Sequence, residues 1–282
     1  MKDSIRRKEL ADFLQTRRKR LSPQEAGLRS DSTRRRTPGL RREEVAALSG
    51  ISLTWYTSLE QGREIRVSEQ VLESLSRTLK LDKDERSYLF ALAGQWLPGA
   101  PESDADSNEA ISPATKLILN ELHRFPAYIV GRRWNIVAWN RIAAEVFGYS
   151  DDMNDRERNV VWRMFMMKEY RQLFVDWESI AKGQLAQFRS FYGKFADDPW
   201  YNDLVSQLLK SSKEFEMWWP QHEVIHSPEG RKELHHPRLG VLSMDYSSFS
   251  LAEDHSMIMT VFTPQAHTGT MEKLDRFISA RV

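Results

Sequence analysis

The segment from Leu40 to Gly62, LRREEVAALSGISLTWYTSLEQG, constrains the fold more than any other stretch. Its pattern predicts two short helices joined by a tight turn. Arg42 to Leu48 makes the first, with Val45, Ala46 and Leu48 on an apolar side. Ser49, Gly50 and Ile51 make the turn, where Gly50 can take a positive φ without steric cost. Ser52 suits the N-cap of the second helix, because its hydroxyl can accept from an amide of the first turn. Tyr56 and Leu59 share an inward face at i,i+3, which leaves Leu53, Thr54, Thr57, Ser58 and Gln61 free to touch something else. Two helices held steeply by a Gly-containing turn form a helix-turn-helix, a device that sets its second helix in the major groove of DNA. The competing reading is an ordinary helical hairpin of a bundle. Ala46 where the helices approach, Gly50 in the turn and the closing Glu60-Gln61-Gly62-Arg63 argue against it.

Charge supports the same division of labour. Residues 1–95 hold 20 Lys/Arg and 14 Asp/Glu, a net of +6, whereas the other 187 hold 21 and 26, a net of −5, giving +1 for the 282-residue chain. A basic front joined to an acidic rear fits a DNA-binding part attached to one that avoids DNA. Around the motif, residues 4–20 read as a helix. Ser68 caps another bearing Val71, Leu72, Leu75 and Leu79, and Leu81-Asp82 starts a last one ending before Gly94. The first ~95 residues therefore read as an all-α bundle of about five helices. Residues 29–39, RSDSTRRRTPG, form a polar connection whose Arg34, Arg35 and Arg36 suit phosphate contact or minor-groove insertion, and equally suit a solvated loop.

This part resembles the Xre-type helix-turn-helix domain of bacterial regulators, closely from Arg42 through Arg63. Ser49 departs from it, since an apolar residue is more usual before the turn glycine. The resemblance implies that Arg42 reaches phosphate or supports a base contact, and that Leu53, Thr54 and Thr57 face the groove. It places Ser52 and Ser58 on phosphate, with Gln61 and Arg63 near the backbone at the far end. Leu53 cannot hydrogen-bond a base, so it implies apolar contact with a thymine methyl. Trp55 fits either the sugar-phosphate wall or the space between helices.

Residues 98–113, PGAPESDADSNEAISP, carry three prolines and many small or acidic residues, the composition of a linker. We place domains at 1–97 and 112–282, with 98–111 between them. In the second, 125–130 and 135–140 read as a strand hairpin. Helical segments follow at 141–147, 160–165, 169–189 and 201–212, then β-rich runs at 221–225, 232–236, 240–249 and 257–262. Helices set against an antiparallel sheet make an α+β domain, so the chain is multidomain.

The motifs VGRRWNIVAWNRIAAEVFG, RNVVWRMF, DWE, DDPWYNDLV, SSKEFEMWW and HHPRLGVLSMDYSSF are spread over about 112–278. Together they resemble the ligand-binding domain of MmyB-like transcription regulators, which follows a helix-turn-helix of the Xre type. The resemblance implies a PAS-like fold holding a fatty-acid-like or other small apolar ligand.

No catalytic constellation accompanies these features. The chain has no cysteine, and it lacks G-x-S-x-G, Walker and dinucleotide glycine patterns. His222 and His226 flank HEVIH, but Val224 and Ile225 favour a strand there, and the metalloprotease motif needs a helix. Asp176 and Glu178, two apart on a helix, face different ways. Thus neither enzyme nor resident cofactor is expected. No apolar run could span a bilayer and MKDSIRRKEL lacks a signal-peptide core, so a cytoplasmic protein without membrane partner is expected.

The aromatic load is more informative. Trp134, Trp139, Trp162, Trp177, Trp200, Trp218 and Trp219 all follow the linker. They read either as a tryptophan-rich core or as walls of an apolar pocket. For the pocket the candidates are Trp139, Trp162, Phe165 and Met166. Arg158 or Arg163 would meet a ligand carboxylate, and Asn140 and Asn159 would hydrogen-bond it. The expected protein is a homodimeric operator-binding regulator sensing a small apolar ligand. The alternative keeps DNA binding but makes the second domain a dimerisation or protein-interaction module without ligand.

Overall fold

The computed structural model describes residues 3–28, 38–95 and 110–279. Arg34, Arg35 and Arg36 lie outside the described residues, as does nearly all of the expected linker. The N-terminal part is helical: α1 (Asp3–Arg20), α2 (Arg42–Ser49), α3 (Leu53–Glu60), α4 (Glu69–Thr78) and α5 (Lys83–Leu92). The expected turn forms between α2 and α3. Gly50 takes φ +69°, and the Ile51 amide donates to the Ala46 carbonyl at 3.0 Å. Ser52 accepts from the Trp55 amide at 3.2 Å and Ser68 from Val71 at 3.4 Å, so both caps form as read. The unusual Ser49 is buried, and its hydroxyl donates to Thr78 at 2.9 Å, which replaces packing with a hydrogen bond to α4.

After the linker come α6 (Pro113–Glu121), β1 (Ala127–Val130), β2 (Ile136–Trp139), α7 (Arg141–Phe147), α8 (Asp155–Arg158), α9 (Val160–Met166) and α10 (Lys168–Leu173). Then follow α11 (Trp177–Phe195), α12 (Pro199–Ser211), α13 (Lys213–Trp218), β3 (Glu229–His236), β4 (Gly240–Ser250), β5 (Ile258–Pro264) and α14 (Thr270–Ser279). The five strands form one antiparallel sheet in the order β2-β1-β5-β4-β3.

Two expectations are corrected. The helix read at 169–189 is two helices, because the chain leaves helical geometry to pair with the edge strand. Phe174 bridges Leu234, and the Val175 amide donates to the Glu233 carbonyl at 3.0 Å. The strand read at 221–225 is absent: His222 takes φ +51°, and Val224 joins an apolar core with Leu14, Tyr56 and Leu89.

The described residues divide into two compact units, and the division does not follow the linker. The first draws on Met1–Ala100, Ala186–Leu209 and Glu216–His226; the second on Pro101–Leu185, Lys210–Phe215 and Ser227–Val282. Helix α11 therefore contributes its N-terminal turns to the second unit and its C-terminal turns to the first.

Within the first unit the added segments are tied to α1 and α5 by specific contacts. Arg17 donates to the His222 carbonyl at 2.6 Å and pairs with Glu85 at 2.7 Å. The His226 amide donates to Asp84 at 2.7 Å. Arg189, fully buried, lies 3.8 Å from the Trp219 ring centroid and donates to the Trp219 carbonyl and to the imidazole Nδ1 of His222, the latter at 3.1 Å. Burial and the nearby Arg189 and Arg17 push the His222 pKa down to about 3, so its imidazole is neutral and accepts that bond. At Gly193 the ring of Tyr88 occupies the place where a β-carbon would stand.

Two alanine substitutions in one helix test this packing. Gly193→Ala would drive a methyl into Tyr88 and should cost about 1–3 kcal/mol. At Gly183 a β-carbon meets nothing, so Gly183→Ala should gain roughly 0.5–1 kcal/mol from helix propensity. Urea unfolding of the full chain reads both, and equal effects would contradict the close approach.

Candidate functional site

The first candidate is the surface of α3. Its inner side is organised by one acidic side chain. Glu60 is buried and its carboxylate receives four hydrogen bonds: from Arg18 Nε at 2.5 Å, Arg18 Nη2 at 3.1 Å, Arg42 Nε at 2.7 Å and Tyr56 at 2.8 Å. Arg18 also donates to the Leu40 carbonyl at 2.7 Å. Burial alone would raise the Glu60 pKa, but the bonds from Arg18, Tyr56 and Arg42 hold it below the usual carboxylate range. One carboxylate thus ties α3 to α1 and to the start of α2.

The outer side of α3 is left open. Ser52, Leu53, Thr54, Gln61 and Arg63 are exposed, and Thr57 and Ser58 are half-buried. They lie in the turn, on α3 and in the residues just after it. Leu53 is 46% exposed. Two further residues contact the fold itself. Arg42 binds Glu60 through Nε, so its first role is to position α3. Trp55 is half-buried against the apolar core, which answers the question its sequence position left open.

The second candidate lies on the helix-covered face of the sheet. Across β5, β4 and β3, Phe262 stands opposite Tyr246, and Met244 stands opposite Lys232. Side chains alternate along β3: Glu229, Arg231, Glu233 and His235 are exposed, whereas Gly230, Lys232, Leu234 and His236 face inward. Aromatic rings from the helices meet this face. Phe147 lies 4.9 Å from Phe262 and 5.6 Å from Tyr149, measured between centroids. Tyr128 lies 5.7 Å from Tyr149 and 5.8 Å from both Phe147 and Phe262. Tyr170 is 5.3 Å from Phe174.

Charged groups close the ring. Arg163 sits 5.1 Å from the Tyr149 ring and 4.8 Å from that of Tyr170. Lys232 Nζ sits 4.8 Å from Tyr246, 5.6 Å from Phe262 and 5.8 Å from Phe174. Loss of water pushes the Lys232 pKa down to about 8. Burial raises the phenols of Tyr128, Tyr149 and Tyr170, which stay protonated. The Tyr149 hydroxyl is buried beside Tyr170.

The residues expected to line a pocket meet this site unequally. Arg163 and Trp139 reach it, the latter 6.0 Å from Tyr149. Asn140 instead caps α7 and donates to the Leu122 and Phe125 carbonyls. Asn159 caps α9 and donates to the Arg133 carbonyl and Asn135. Arg158 donates to the Met153 and Asp151 carbonyls and stacks over Trp139. Arg163 donates to the Phe147, Gly148 and Glu157 carbonyls, so its charge serves the C-terminal end of α7. Trp162 is half-buried beneath Arg156, Phe165 packs on Trp177 and Phe215, and Met166 is half-buried. Sequence reasoning missed Tyr128, Tyr149, Tyr170, Tyr246 and Lys232; the pairing of β3 with β4 is what places Lys232 inward.

A separate surface groove of about 310 Å³ opens among α6, α7 and α14, bordered by Asn120, His123, Arg141, Glu145 and Phe277. Among the described residues no three His, Asp or Glu side chains gather as a metal site, and no helix is long and apolar enough to cross a membrane.

The Glu60 hub yields a stability test. Glu60→Ala leaves Arg18 buried without its partner and should cost about 3–5 kcal/mol. Because the folded pKa is depressed, the contribution is full above the unfolded value of 4.5 and is lost as pH falls through the folded one. The gap between wild type and Glu60→Gln in urea titrations should therefore narrow below pH 4.5; a pH-independent gap contradicts the charged hub.

Comparison with known proteins gives a matched domain for each region. Residues 9–89 match a helix-turn-helix domain. Residues 111–277 match the MmyB-like transcription regulator ligand binding domain. No curated protein matches the chain. With more than half its length in the second match and the helix-turn-helix ahead of it, the chain belongs to the MmyB-like transcription regulators, DNA-binding proteins with a ligand-binding domain.

Proposed function

We propose that the exposed residues around α3 read an operator and that the aromatic ring of the second unit holds the ligand that controls this reading. Ser52, Leu53, Thr54, Thr57 and Ser58 meet the groove and its phosphates, and Gln61 and Arg63 meet the backbone beyond. Their common exposure beside a core held by Glu60 is the observation that carries this assignment. The ligand is a small, mostly apolar molecule of fatty-acid-like character. The sheet order β2-β1-β5-β4-β3 supports a PAS-like reading of the domain that encloses it.

The protein acts as a cytoplasmic homodimer, since two copies of α3 meet half-sites about 34–36 Å apart only when paired. A ligand changes operator affinity only through a difference in its own affinity for two arrangements of the protein. Helix α11 is the covalent element through which the two units are linked in this reading. The interaction-module alternative draws support from Leu117 and Ile118 of α6, 62% and 58% exposed. These residues are a candidate dimer face and leave the aromatic ring free for a ligand.

Two measurements test the reading. In gel-shift titrations on a DNA fragment selected by the protein, Thr54→Ala and Leu53→Ala should each weaken binding about 5–150-fold, the loss of about 1–3 kcal/mol per base contact. Unfolding curves like those of wild type should accompany the loss; full operator affinity would remove α3 from the interface. In denaturing mass spectrometry, protein purified from cells should release a small apolar molecule. No released molecule, together with no thermal shift by added fatty acids, would contradict the sensing role.

A further inference from the structure

Helix α1 is gripped along one stripe by residues from far down the chain. Arg6, Glu9, Phe13, Arg17 and Arg20 follow one another at the three- and four-residue steps of a single helix face. Each of them meets a residue between 189 and 223. Arg6 pairs with Asp197 at 3.2 Å, and Glu9 lies 3.4 Å from Arg189. The Phe13 ring stands edge-on to that of His222, 6.4 Å between centroids. Arg17 donates to the His222 carbonyl at 2.6 Å, and Arg20 donates to Glu223 and, at 2.7 Å, to the Gln221 carbonyl. All of these residues belong to the first unit.

Arg189 is the centre of this grip. Its guanidinium is buried, stacks on the Trp219 ring and directs its donors to the Trp219 carbonyl, the His222 imidazole and Glu9. A buried planar fork of this kind tolerates little displacement of its partners. Another side of α1 carries the reading helix. Arg18 donates to Glu60 at the end of α3, and Arg7 pairs at 3.5 Å with Glu64 just beyond it. Helix α1 is thus shared: residues 189–223 set one side of it, and α3 is tied to another.

We propose that Arg189 is a positioning residue for operator binding: with the residues around it, it seats α1, and through Arg18 and Glu60 it sets how α3 meets the groove. The inference rests on the reading that α3 contacts the operator. It adds to that reading residues from inside the stretch that matches the ligand-binding domain. Arg189 is buried and gives no charge to phosphate, so its effect falls on the fit of α3 to base edges. Base contacts carry specificity, whereas phosphate contacts carry the affinity for any sequence. Loss of Arg189 therefore separates the two.

The test uses the full chain and fluorescence anisotropy on two DNA fragments, one selected by the protein and one of scrambled sequence. It is run at a temperature where circular dichroism shows each variant folded. Arg189→Met should lower affinity for the selected fragment about tenfold, while affinity for the scrambled fragment and its salt dependence stay as in wild type. Thr54→Ala is the reference for α3 itself. An equal loss on both fragments makes Arg189 merely structural and overturns the proposal. Wild-type operator affinity in Arg189→Met, with Thr54→Ala weakened, overturns the positioning role alone. Wild-type operator affinity in Thr54→Ala removes α3 from the interface and the positioning role with it. If Arg189→Met does not fold, Arg189→Lys replaces it and is judged by the same outcomes, since it keeps the charge but loses the fork and the stacking.

Discussion

The carboxylate of Glu60 is the constraint on which the DNA-binding unit depends. It is buried at the end of α3 and is met by three donors from three places in the chain: Arg18 on α1, Arg42 at the start of α2, and Tyr56 one turn back on α3 itself. A buried carboxylate with any of these missing is costly, so the four groups form together or the arrangement does not hold. The consequence for function is geometric. With its inner side fixed on α1 and α2, α3 presents Leu53 and Thr54 outward on a rigid support, which is what reading base edges requires.

The second unit uses the opposite arrangement. Its sheet covers one face with Leu119 of α6, Met257 and Met259 around Ala127 and Ile129. The other face gathers tyrosines, phenylalanines and two cations under α7, α9 and α10. Phenols and cations are packed there among apolar rings. The first unit meanwhile takes in Arg189, Trp219, His222 and Val224, residues from the stretch matching the ligand-binding family. Helices α11, α12 and α13 each contribute residues to both units.

Much of this was legible in the sequence. The turn at Gly50, the caps Ser52 and Ser68, the inward Tyr56 and Leu59, and the β1–β2 hairpin follow from local pattern, and local pattern is what periodicity and capping report. What escaped was decided by distant partners. Arg42 reads as a DNA contact, and what the sequence did not show is that Glu60, 18 residues on, holds its Nε while the side chain stays 40% exposed. Asn140 and Asn159 read as ligand groups, but nearby amides and carbonyls claim them as caps. HEVIH alternates like a strand, yet Arg17 and Arg189 fix it as an irregular segment on a helical core. Lys232 was not legible, since it stands between Arg231 and Glu233 in a charged run, and only pairing with β4 shows which phase is buried.

Ligand held by the second unit is proposed to change the affinity of α3 for DNA. The direct measurement is the dissociation constant for a selected operator, by fluorescence anisotropy at fixed salt, with and without saturating ligand identified from the purified protein. The account predicts a change of about 5–150-fold, the range of a coupling of 1–3 kcal/mol, with a reciprocal change of the same factor in ligand affinity when operator is bound. An operator affinity that stays the same while the ligand is demonstrably bound would contradict it.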